Sequence, residues 1–342
     1  MAWEKLGTAS VSGTTANTSW KELDRATVSS GDTLDTSTFT AKDNMMILCY
    51  TVGSGTVHPK LHFNNDTGSN YAFRYSGNGG SDSTSTSQDY FRIQGGISGS
   101  PTQFSVSNVV NVSSQEKLIT SHLIANQNTG AGNAPTREEN VGKWANTSAQ
   151  INRVDCDNGQ SGDYASGTEL VVLGYDNDEA DSGTNFWQEL GKDELTSASG
   201  SMSKTIAAKK YLMVEWFANA DGGNNVEPRI RFNDDSGSNY ANRINRDGTG
   251  EATNTNQSNI TTSVTDHNTD EHGIAYIINV SDKEKLVISH SSADSGWSSG
   301  YSRRETVGKW VNTSAQITNV KIYNNNTNNL GSGSWIRIYG AD

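Results

Sequence analysis

The chain carries one stretch twice, and this repetition constrains its fold more than any other feature. The block Val141–Ile151 returns as Val307–Ile317, Val-Gly-Lys-Trp-(Ala/Val)-Asn-Thr-Ser-Ala-Gln-Ile, with ten of eleven positions identical. Two further blocks repeat at nearly the same offset of about 167 residues, Phe63–Arg74 with Phe232–Arg243 and Asn111–Leu118 with Asn279–Leu286. This period is too long for a solenoid unit. The chain is therefore a tandem duplication, and each copy should be a domain with its own core.

The repeated blocks also set the domain boundaries. Trp20-Lys-Glu-Leu23 and Trp187-Gln-Glu-Leu190 lie in register with the other repeats. We predict a first domain over 20–176, an acidic linker over 177–186 and a second domain over 187–342, which agrees with the usual domain size.

Residues 1–19 then form an N-terminal arm, in which Trp3 and Leu6 repeat the opening pattern of a domain. One interpretation is a strand packed on its own domain. The other is a strand added to the sheet edge of a neighbouring subunit or of the second domain. Because one domain has room for only one opening segment, we predict the second arrangement, in which residues 1–19 act as an assembly arm.

Short apolar runs and period-two alternation indicate strands throughout. Met45–Tyr50 is a nearly continuous apolar run, typical of a strand covered on both faces, whereas Lys60–Phe63 alternates like a half-exposed strand. No segment has a sustained 3.6-residue period. Seven to nine short strands a copy, joined by polar loops such as 76–89 and 245–259, predict an all-β protein of two tandem homologous antiparallel β-sandwich domains, jelly-roll-like.

Trp144 and Trp310 occupy the best-repeated block and could be core anchors or sugar-stacking platforms. We favour core anchors, because the same tryptophan in the same motif of both copies is typical of a buried residue. Lys143 and Lys309 should then extend beside them. Further structural anchors are predicted in the hairpin blocks: Phe63, Phe232, Tyr71 and Tyr240.

Composition limits the partners and the compartment. A formal charge of -12 and a pI near 4.9 argue against nucleic acid as a partner. Neither a run of eighteen apolar residues nor a signal-peptide pattern is present, so we expect synthesis in a cytoplasm and no membrane span. Cys49 and Cys156 fall at non-equivalent places in the repeat and are expected to be reduced, buried thiols.

The histidines do not predict a catalytic or zinc site. His58 and His62 lie four apart on a strand without zinc-site partners, and we expect a surface role for them. His122 and His290 hold equivalent positions, where we expect hydrogen-bonded residues at strand ends. No nucleophile elbow or phosphate loop is present, and we predict that the protein is not an enzyme.

Calcium is the one cofactor that the acidic loops could bind, because it prefers carboxylate oxygens on loops as ligands. The EF-hand pattern is absent from the sequence. The candidate ligands are Asp66, Asp234, Asp235, Asp176, Asp178, Glu179 and Asp181. The sequence leaves open whether any of them binds a metal.

Four segments carry a resemblance to a known group of proteins: the opening Met-Ala-Trp-Glu-Lys-Leu-Gly, the Phe-Asn-(Asn/Asp)-Asp-(Ser/Thr)-Gly-Ser-Asn-Tyr block, the Val-Gly-Lys-Trp block and the closing Ile-Arg-Ile-Tyr-Gly. With these segments the chain resembles small β-rich virion structural proteins found among tailed viruses of marine microbes. The resemblance covers 20–176 and 187–342. It implies a non-enzymatic bacteriophage particle component, a capsid decoration or fibre-like protein, and it supplies no catalytic residues.

Three functions follow as hypotheses. The first is a virion structural protein that assembles with itself and with other virion proteins. The second is a carbohydrate- or receptor-binding module of a tail, in which loops 76–89 and 245–259 would present aromatic and amide groups to a host surface glycan. The third is a duplicated jelly-roll capsid protein, whose tandem pair would suit a pseudo-hexagonal lattice. The virion is the expected location in each case.

Overall fold

A computed structural model describes residues 20–94, 98–99, 101–177, 184–220, 225–248, 250–262, 269–294 and 301–342. The predicted arm with Trp3 and Leu6 lies outside these residues, as do linker residues 178–183, which include three of the candidate calcium ligands. Within the described ranges all regular structure is strand, and no helix there could cross a bilayer. The predicted all-β class is confirmed.

The described residues of the first repeat form twelve strands: β1 Lys21–Gly31, β2 Thr33–Asp35, β3 Asn44–Val52, β4 Pro59–Phe63, β5 Tyr71–Gly77, β6 Ser83–Gln88, β7 Phe91–Arg92, β8 Thr102–Val110, β9 Lys117–Asn126, β10 Thr136–Trp144, β11 Val154–Asn158 and β12 Tyr164–Tyr175.

The described residues of the second repeat form the same set: β13 Gln188–Glu194, β14 Ser201–Thr205, β15 Tyr211–Ala218, β16 Pro228–Phe232, β17 Tyr240–Arg246, β18 Glu251–Gln257, β19 Ile260–Thr261, β20 Glu271–Ile278, β21 Lys285–Asp294, β22 Tyr301–Trp310, β23 Asn319–Asn324 and β24 Trp335–Ala341.

Each repeat builds one eight-stranded and one four-stranded antiparallel sheet. The strand order is β1-β12-β3-β8-β9-β10-β5-β6 over β2-β11-β4-β7 in the first repeat and β13-β24-β15-β20-β21-β22-β17-β18 over β14-β23-β16-β19 in the second. The two repeats therefore share one topology, and the predicted pair of sandwich domains is confirmed.

The strands outnumber the seven to nine expected in each copy. Part of the excess lies in the segments predicted as polar loops, 76–89 and 245–259, which contain the edge strands β6 and β18. The main chain of β6 pairs with β5, and that of β18 with β17. An edge strand of this kind needs no apolar side chain, because its pairing comes from the main chain, so a search for apolar periodicity misses it.

The chain divides into two compact units. Among the described residues, the first unit comprises 20–127 and 136–186, and the second comprises 128–135 and 187–342. The connection between β9 and β10, residues 128–135, thus belongs with the second unit although its sequence lies in the first repeat. Phe186, at the end of the expected linker, donates its amide to the Trp20 carbonyl at 2.7 Å within the first unit.

The repeated aromatic residues meet in the core of the first unit. Trp144 is 1% exposed, and its ring centroid lies 5.9 Å from Phe63 and 6.4 Å from Tyr71. The Tyr71 hydroxyl accepts the Phe63 amide at 2.9 Å and donates to the Asp66 carbonyl at 3.0 Å, so even its polar end is satisfied inside the sandwich. The geometry explains why these residue types recur together.

The second unit repeats this packing. Trp310 is also 1% exposed, with centroid distances of 5.9 Å to Phe232 and 6.4 Å to Tyr240. A tryptophan buried to this extent offers no face for a sugar to stack on. All four hairpin aromatics are buried as well, as a core anchor requires.

The Val-Gly-Lys-Trp block follows strand alternation. Gly142 faces inward with Trp144, and a Cβ on it would lie 2.6 Å from the Ala72 carbonyl oxygen and 2.7 Å from Phe91. Lys143 faces the opposite side from Trp144, because successive strand residues alternate. The expectation that Lys143 extends beside Trp144 is therefore wrong, and the same alternation applies to the second copy.

A different repeated lysine lies over the tryptophan. Lys117 is 0% exposed, and its Nζ is 5.8 Å from the Trp144 ring and donates to the carbonyls of Gln115 and Asn146, each at 2.8 Å. Lys285 holds the same position over Trp310. Burial lowers the pKa of Lys117, and it lowers that of Lys285 to about 8. Each copy of the repeated Asn-Val-Ser block thus carries, just before its final leucine, a buried cation that joins two turns.

Candidate interaction surface

The outer face of the large sheet in the first unit carries an apolar patch. Val110, Leu118 and Val141 are 50%, 57% and 52% exposed, and they are the large hydrophobic residues that stand exposed in the described part of the chain. Val110 pairs directly with Leu118 across β8 and β9, and Val141 lies one step further on β10, opposite Thr120. We call these three residues patch A.

Patch A forms the floor of a recess of about 700 Å³. The aromatic rings of Trp20 and Tyr175 meet edge to face at 4.7 Å and line the recess, together with the amides of Asn44 and Asn108. Contiguous exposed apolar surface on a folded protein commonly marks a site of interaction.

Charged side chains border the patch. Lys143 forms an ion pair of 2.8 Å with Glu116, and the two side chains are 42% and 41% exposed. Arg74 lies 3.5 Å from Asp82, with both side chains more than half exposed. Because both ion pairs are exposed to solvent, they contribute little to stability, and their charges are accessible to a partner.

The candidate calcium ligands contact protein groups. Asp66 Oδ2 accepts the indole proton of Trp144 at 2.7 Å, and Asp66 Oδ1 accepts the Gly68 amide at 2.9 Å. Burial alone would raise the pKa of Asp66, but these hydrogen bonds outweigh it and hold the pKa below its usual value. Asp235 repeats the arrangement with Trp310. Both carboxylates thus cap a turn on the core tryptophan.

The other two candidate calcium ligands among the described residues, Asp234 and Asp176, are paired with lysines. Asp234 forms an ion pair with Lys321, and Asp176 lies 2.9 Å from Lys42.

The structure corrects two expectations about histidine. His62 is buried rather than at the surface, and a carboxylate oxygen of Asp157 on the neighbouring strand β11 lies 2.9 Å from its Nδ1. His122 lies within β9 rather than at its end, 3.9 Å from Glu139, and His290 lies within β21.

Cys49 and Cys156 are free and buried, with their sulfurs 3.7 Å apart. Hydrogen bonding to Cys156 and burial raise the pKa of the Cys49 thiol, which favours its protonated, unreactive form.

A buried cluster of charges in the second unit had no signal in the sequence. Glu271 is 2% exposed, and burial raises its pKa to about 8 although Arg304 and Arg229 oppose the shift. Burial beside Arg229 lowers the pKa of Arg304 to about 10. The first repeat has Gln103 at the position of Glu271, so the cluster is particular to the second unit. Residues so far apart in sequence come together only in the fold.

Loops 76–89 and 245–259, the segments expected to bind a glycan, contain no aromatic residue in their sequence. The expectation that these segments present aromatic rings to a sugar is therefore wrong. Aromatic and amide groups do share the recess around patch A.

The fold and the surface together define a tandem pair of β-sandwich domains with an open apolar sheet face on the first.

No known protein family and no curated protein matches the sequence. Solved structures similar to the chain include domains LG4-5 of the mouse laminin alpha1 chain, at 10% identity and a TM-score of 0.20, covering 99% of this chain and 92% of that one. They also include the attachment invasion locus protein Ail of Yersinia pestis, at 7% identity and a TM-score of 0.14, covering 79% and 97%. Similarity at this level carries no argument about function.

Proposed function

We propose that the chain is a non-enzymatic structural protein of a virus particle, a capsid decoration or fibre-like component that acts by self-assembly and attachment. The observation that supports assembly is patch A, where the exposed large hydrophobic residues of the described chain are collected on one sheet face. The virion setting rests on the sequence resemblance of both repeats. The expected partners are other virion proteins and copies of the chain itself.

The physical case for an assembly role is the cost of leaving patch A in water. Burial of a Val or Leu side chain is worth about 1.5–3 kcal/mol. Three such residues in contact form a surface that a partner stabilises, and exposed ion pairs at its border give the polar rim that is typical of protein interfaces.

Quantitative mass spectrometry of purified particles tests the proposal. We expect the protein at a fixed copy number relative to the major capsid protein, through repeated gradient purification and salt washes. A copy number that falls with every wash, or absence from particles whose host cells contain the protein, would refute the virion role.

A receptor-binding module is the second candidate, and the recess around patch A favours it. Trp20 and Tyr175 line it with aromatic rings, and Asn44 and Asn108 offer amides, a combination of apolar rings and a few polar groups that is typical of ligand-binding pockets. A glycan array would then give a defined hit that Trp20→Ala abolishes, whereas the exposed Thr27→Ala variant retains it. Binding that both variants retain, or no hit, would exclude this function for the recess.

A further inference from the structure

Cys49 and Cys156 meet across the interior of the first unit. Cys49 lies on β3 in the eight-stranded sheet, and Cys156 lies on β11 in the four-stranded sheet. The two residues are 107 positions apart in sequence, yet their sulfurs lie 3.7 Å apart and the residues are 2% and 0% exposed. They are the two cysteines of the whole chain. Both therefore stand at a single contact between the two layers of one sandwich.

Strand pairing holds both cysteines in place. Cys49 pairs with Leu170 on the neighbouring strand β12. Cys156 pairs with Leu61 on the neighbouring strand β4. Neither β3 nor β11 is an edge strand, because β3 lies between β12 and β8 and β11 lies between β2 and β4. The facing positions are thus fixed on both sides, inside the hydrophobic core of the unit.

The second unit fills the equivalent contact in another way. Trp216 on β15 and Ile322 on β23 occupy the two positions, and both are 0% exposed. The Trp216 ring fits because Gly273 lies beside it, where a Cβ would overlap the ring. A ring against isoleucine in one unit thus replaces thiol against thiol in the other. A core of this shape does not require sulfur, so packing alone does not account for two thiols placed face to face.

The two sulfurs are close enough to bond without a rearrangement of the strands. A disulfide bond is about 2.05 Å long, so each sulfur would move by only about 0.8 Å to close the distance of 3.7 Å. A small rotation about the Cα–Cβ bond moves a cysteine sulfur by this much while the main chain stays in place.

The surroundings of the pair select the oxidant. The hydrogen bond to Cys156 and burial raise the pKa of the Cys49 thiol, and reaction requires the thiolate. The buried Tyr164 hydroxyl lies 3.6 Å from the Cys156 sulfur. A bulky disulfide such as oxidised glutathione has no access to sulfurs buried to this extent. A small hydroperoxide can reach them during local openings of the fold, so the reaction should be slow but possible in the folded chain.

We propose that Cys49 and Cys156 are a redox-active pair that a hydroperoxide converts into a disulfide between the two sheets of the first unit. The sulfur of one cysteine attacks a peroxide oxygen, the O–O bond breaks, and the leaving hydroxide takes the thiol proton, which gives a sulfenic acid and one water. The sulfur of the other cysteine then attacks the first sulfur, the S–O bond breaks, and hydroxide leaves with the second thiol proton. Two thiols and one hydrogen peroxide thus give one disulfide and two waters.

The bond would have a structural consequence that depends on the compartment. It would join the two layers of the sandwich and close a long loop, which restricts the unfolded chain and stabilises the folded unit. A reducing cytoplasm keeps the pair as thiols, whereas an oxidising medium outside the cell lets the disulfide persist. A virion protein would therefore gain the cross-link after release from its host. Only this setting rests on the proposed function, because the chemistry of the pair does not need it.

Oxidation of the purified full chain with hydrogen peroxide tests the proposal. Peptide mapping without reduction should find the Cys49 peptide joined to the Cys156 peptide within one chain. Thiol titration in denaturant should fall from two thiols a chain to none. Calorimetry should show a rise of about 4–16 °C in the Tm of the first unit, and dithiothreitol should reverse it.

Cys156→Ala is the matched control, because it undergoes the same methionine oxidation but lacks one sulfur of the bond. Its Tm should not rise after peroxide treatment. Cys49→Ala serves the same purpose if Cys156→Ala does not fold. Each variant is compared with its own untreated form, so the effect of the substitution on core packing cancels.

Three outcomes would overturn the proposal: thiols that survive peroxide in the folded chain, sulfinic acid on either cysteine in place of the link, or a link between two chains. A link without a rise in Tm, or an equal rise in Cys156→Ala, would overturn the stabilisation across the sheets. Absence of the protein from purified particles, by contrast, would refute the proposed function and leave the result on the disulfide unaffected.

Discussion

Removal of the Asp66 carboxylate gives a sharp test of how the repeated turn supports the core. Asp66 accepts the buried indole proton of Trp144 at 2.7 Å, the Gly68 amide at 2.9 Å and the Asn70 side chain at 2.9 Å. Asp66→Ala removes all three acceptor contacts at once. Asp235 makes the same contacts with Trp310, Gly237 and Asn239 at the same three distances, so Asp235→Ala is a matched perturbation of the other unit.

The magnitude follows from burial. A hydrogen bond to a charged group is worth about 1.5–3 kcal/mol, and a buried donor left without its acceptor costs about 1–3 kcal/mol. The indole contact dominates because Trp144 is 1% exposed, whereas Asn70 is exposed and contributes little. We expect Asp66→Ala to lower the free energy of unfolding by about 2–4 kcal/mol. Asp66→Asn keeps a neutral acceptor for the indole and should cost about half as much.

The pH dependence has a definite sign. The pKa of Asp66 is lowered from 3.8 in the folded protein, so its carboxylate stabilises the fold above the ordinary pKa and this stabilisation is lost as the pH falls through the lowered value. The difference in stability between wild type and Asp66→Ala should therefore be constant near neutral pH and become smaller below about pH 4.

Differential scanning calorimetry with tryptophan fluorescence measures both effects. A loss of 2–4 kcal/mol corresponds to a fall in Tm of about 4–16 °C for a unit of this size. The transition of the substituted unit should move, and the two alanine variants should show falls of similar size. A change below about 0.5 kcal/mol in both, or equal effects of Asp66→Ala and Asp66→Asn, would refute the role of the carboxylate.

Two further predictions concern the interior of each unit. Gly142→Ala should lower the free energy of unfolding by about 1–3 kcal/mol in chemical denaturation, because its Cβ would meet a main-chain oxygen and a packed ring. Gly308→Ala should cost less, because the atoms nearest to its Cβ belong to the side chain of Ile260, which can shift more easily than main chain, and an equal cost would contradict this. Glu271 binds a proton up to about pH 8 when folded but only to 4.5 when unfolded, so it makes stability fall as the pH rises between these values, by up to about 1.4 kcal/mol per pH unit. Glu271→Gln should remove that slope in thermal scans at pH 5 to 8, and an unchanged slope would assign it to other groups.

The fold class could be predicted because the duplication and the strand patterns are local properties of the sequence. The inward Trp144 and its hairpin partners recur in both copies, and apolar residues at period two mark strands whose other face is polar. Strands without an apolar face left no such signal. Ser83–Gln88 became β6 because β5 offers it an unpaired edge, which no pattern within those six residues records.

The local sequence also misassigned the repeated lysines. Lys143 is next to Trp144 in sequence, yet strand alternation puts it on the outer face with patch A. Lys117 is 27 residues away from Trp144 but pairs directly with it across β9 and β10, so its ammonium reaches the indole. Contact in a sheet depends on register, and register is set by which strands become neighbours.

The sequence alone determined the duplication, the all-β class, the core tryptophans and the acidic charge. The tertiary structure alone decided which surface is open. Leu118 and Leu286 follow the same Glu-Lys pair at the start of equivalent strands, yet they are 57% and 0% exposed. Their difference arises because burial depends on what lies over a residue, and the segment 128–135 that lies on the second repeat comes from elsewhere in the chain.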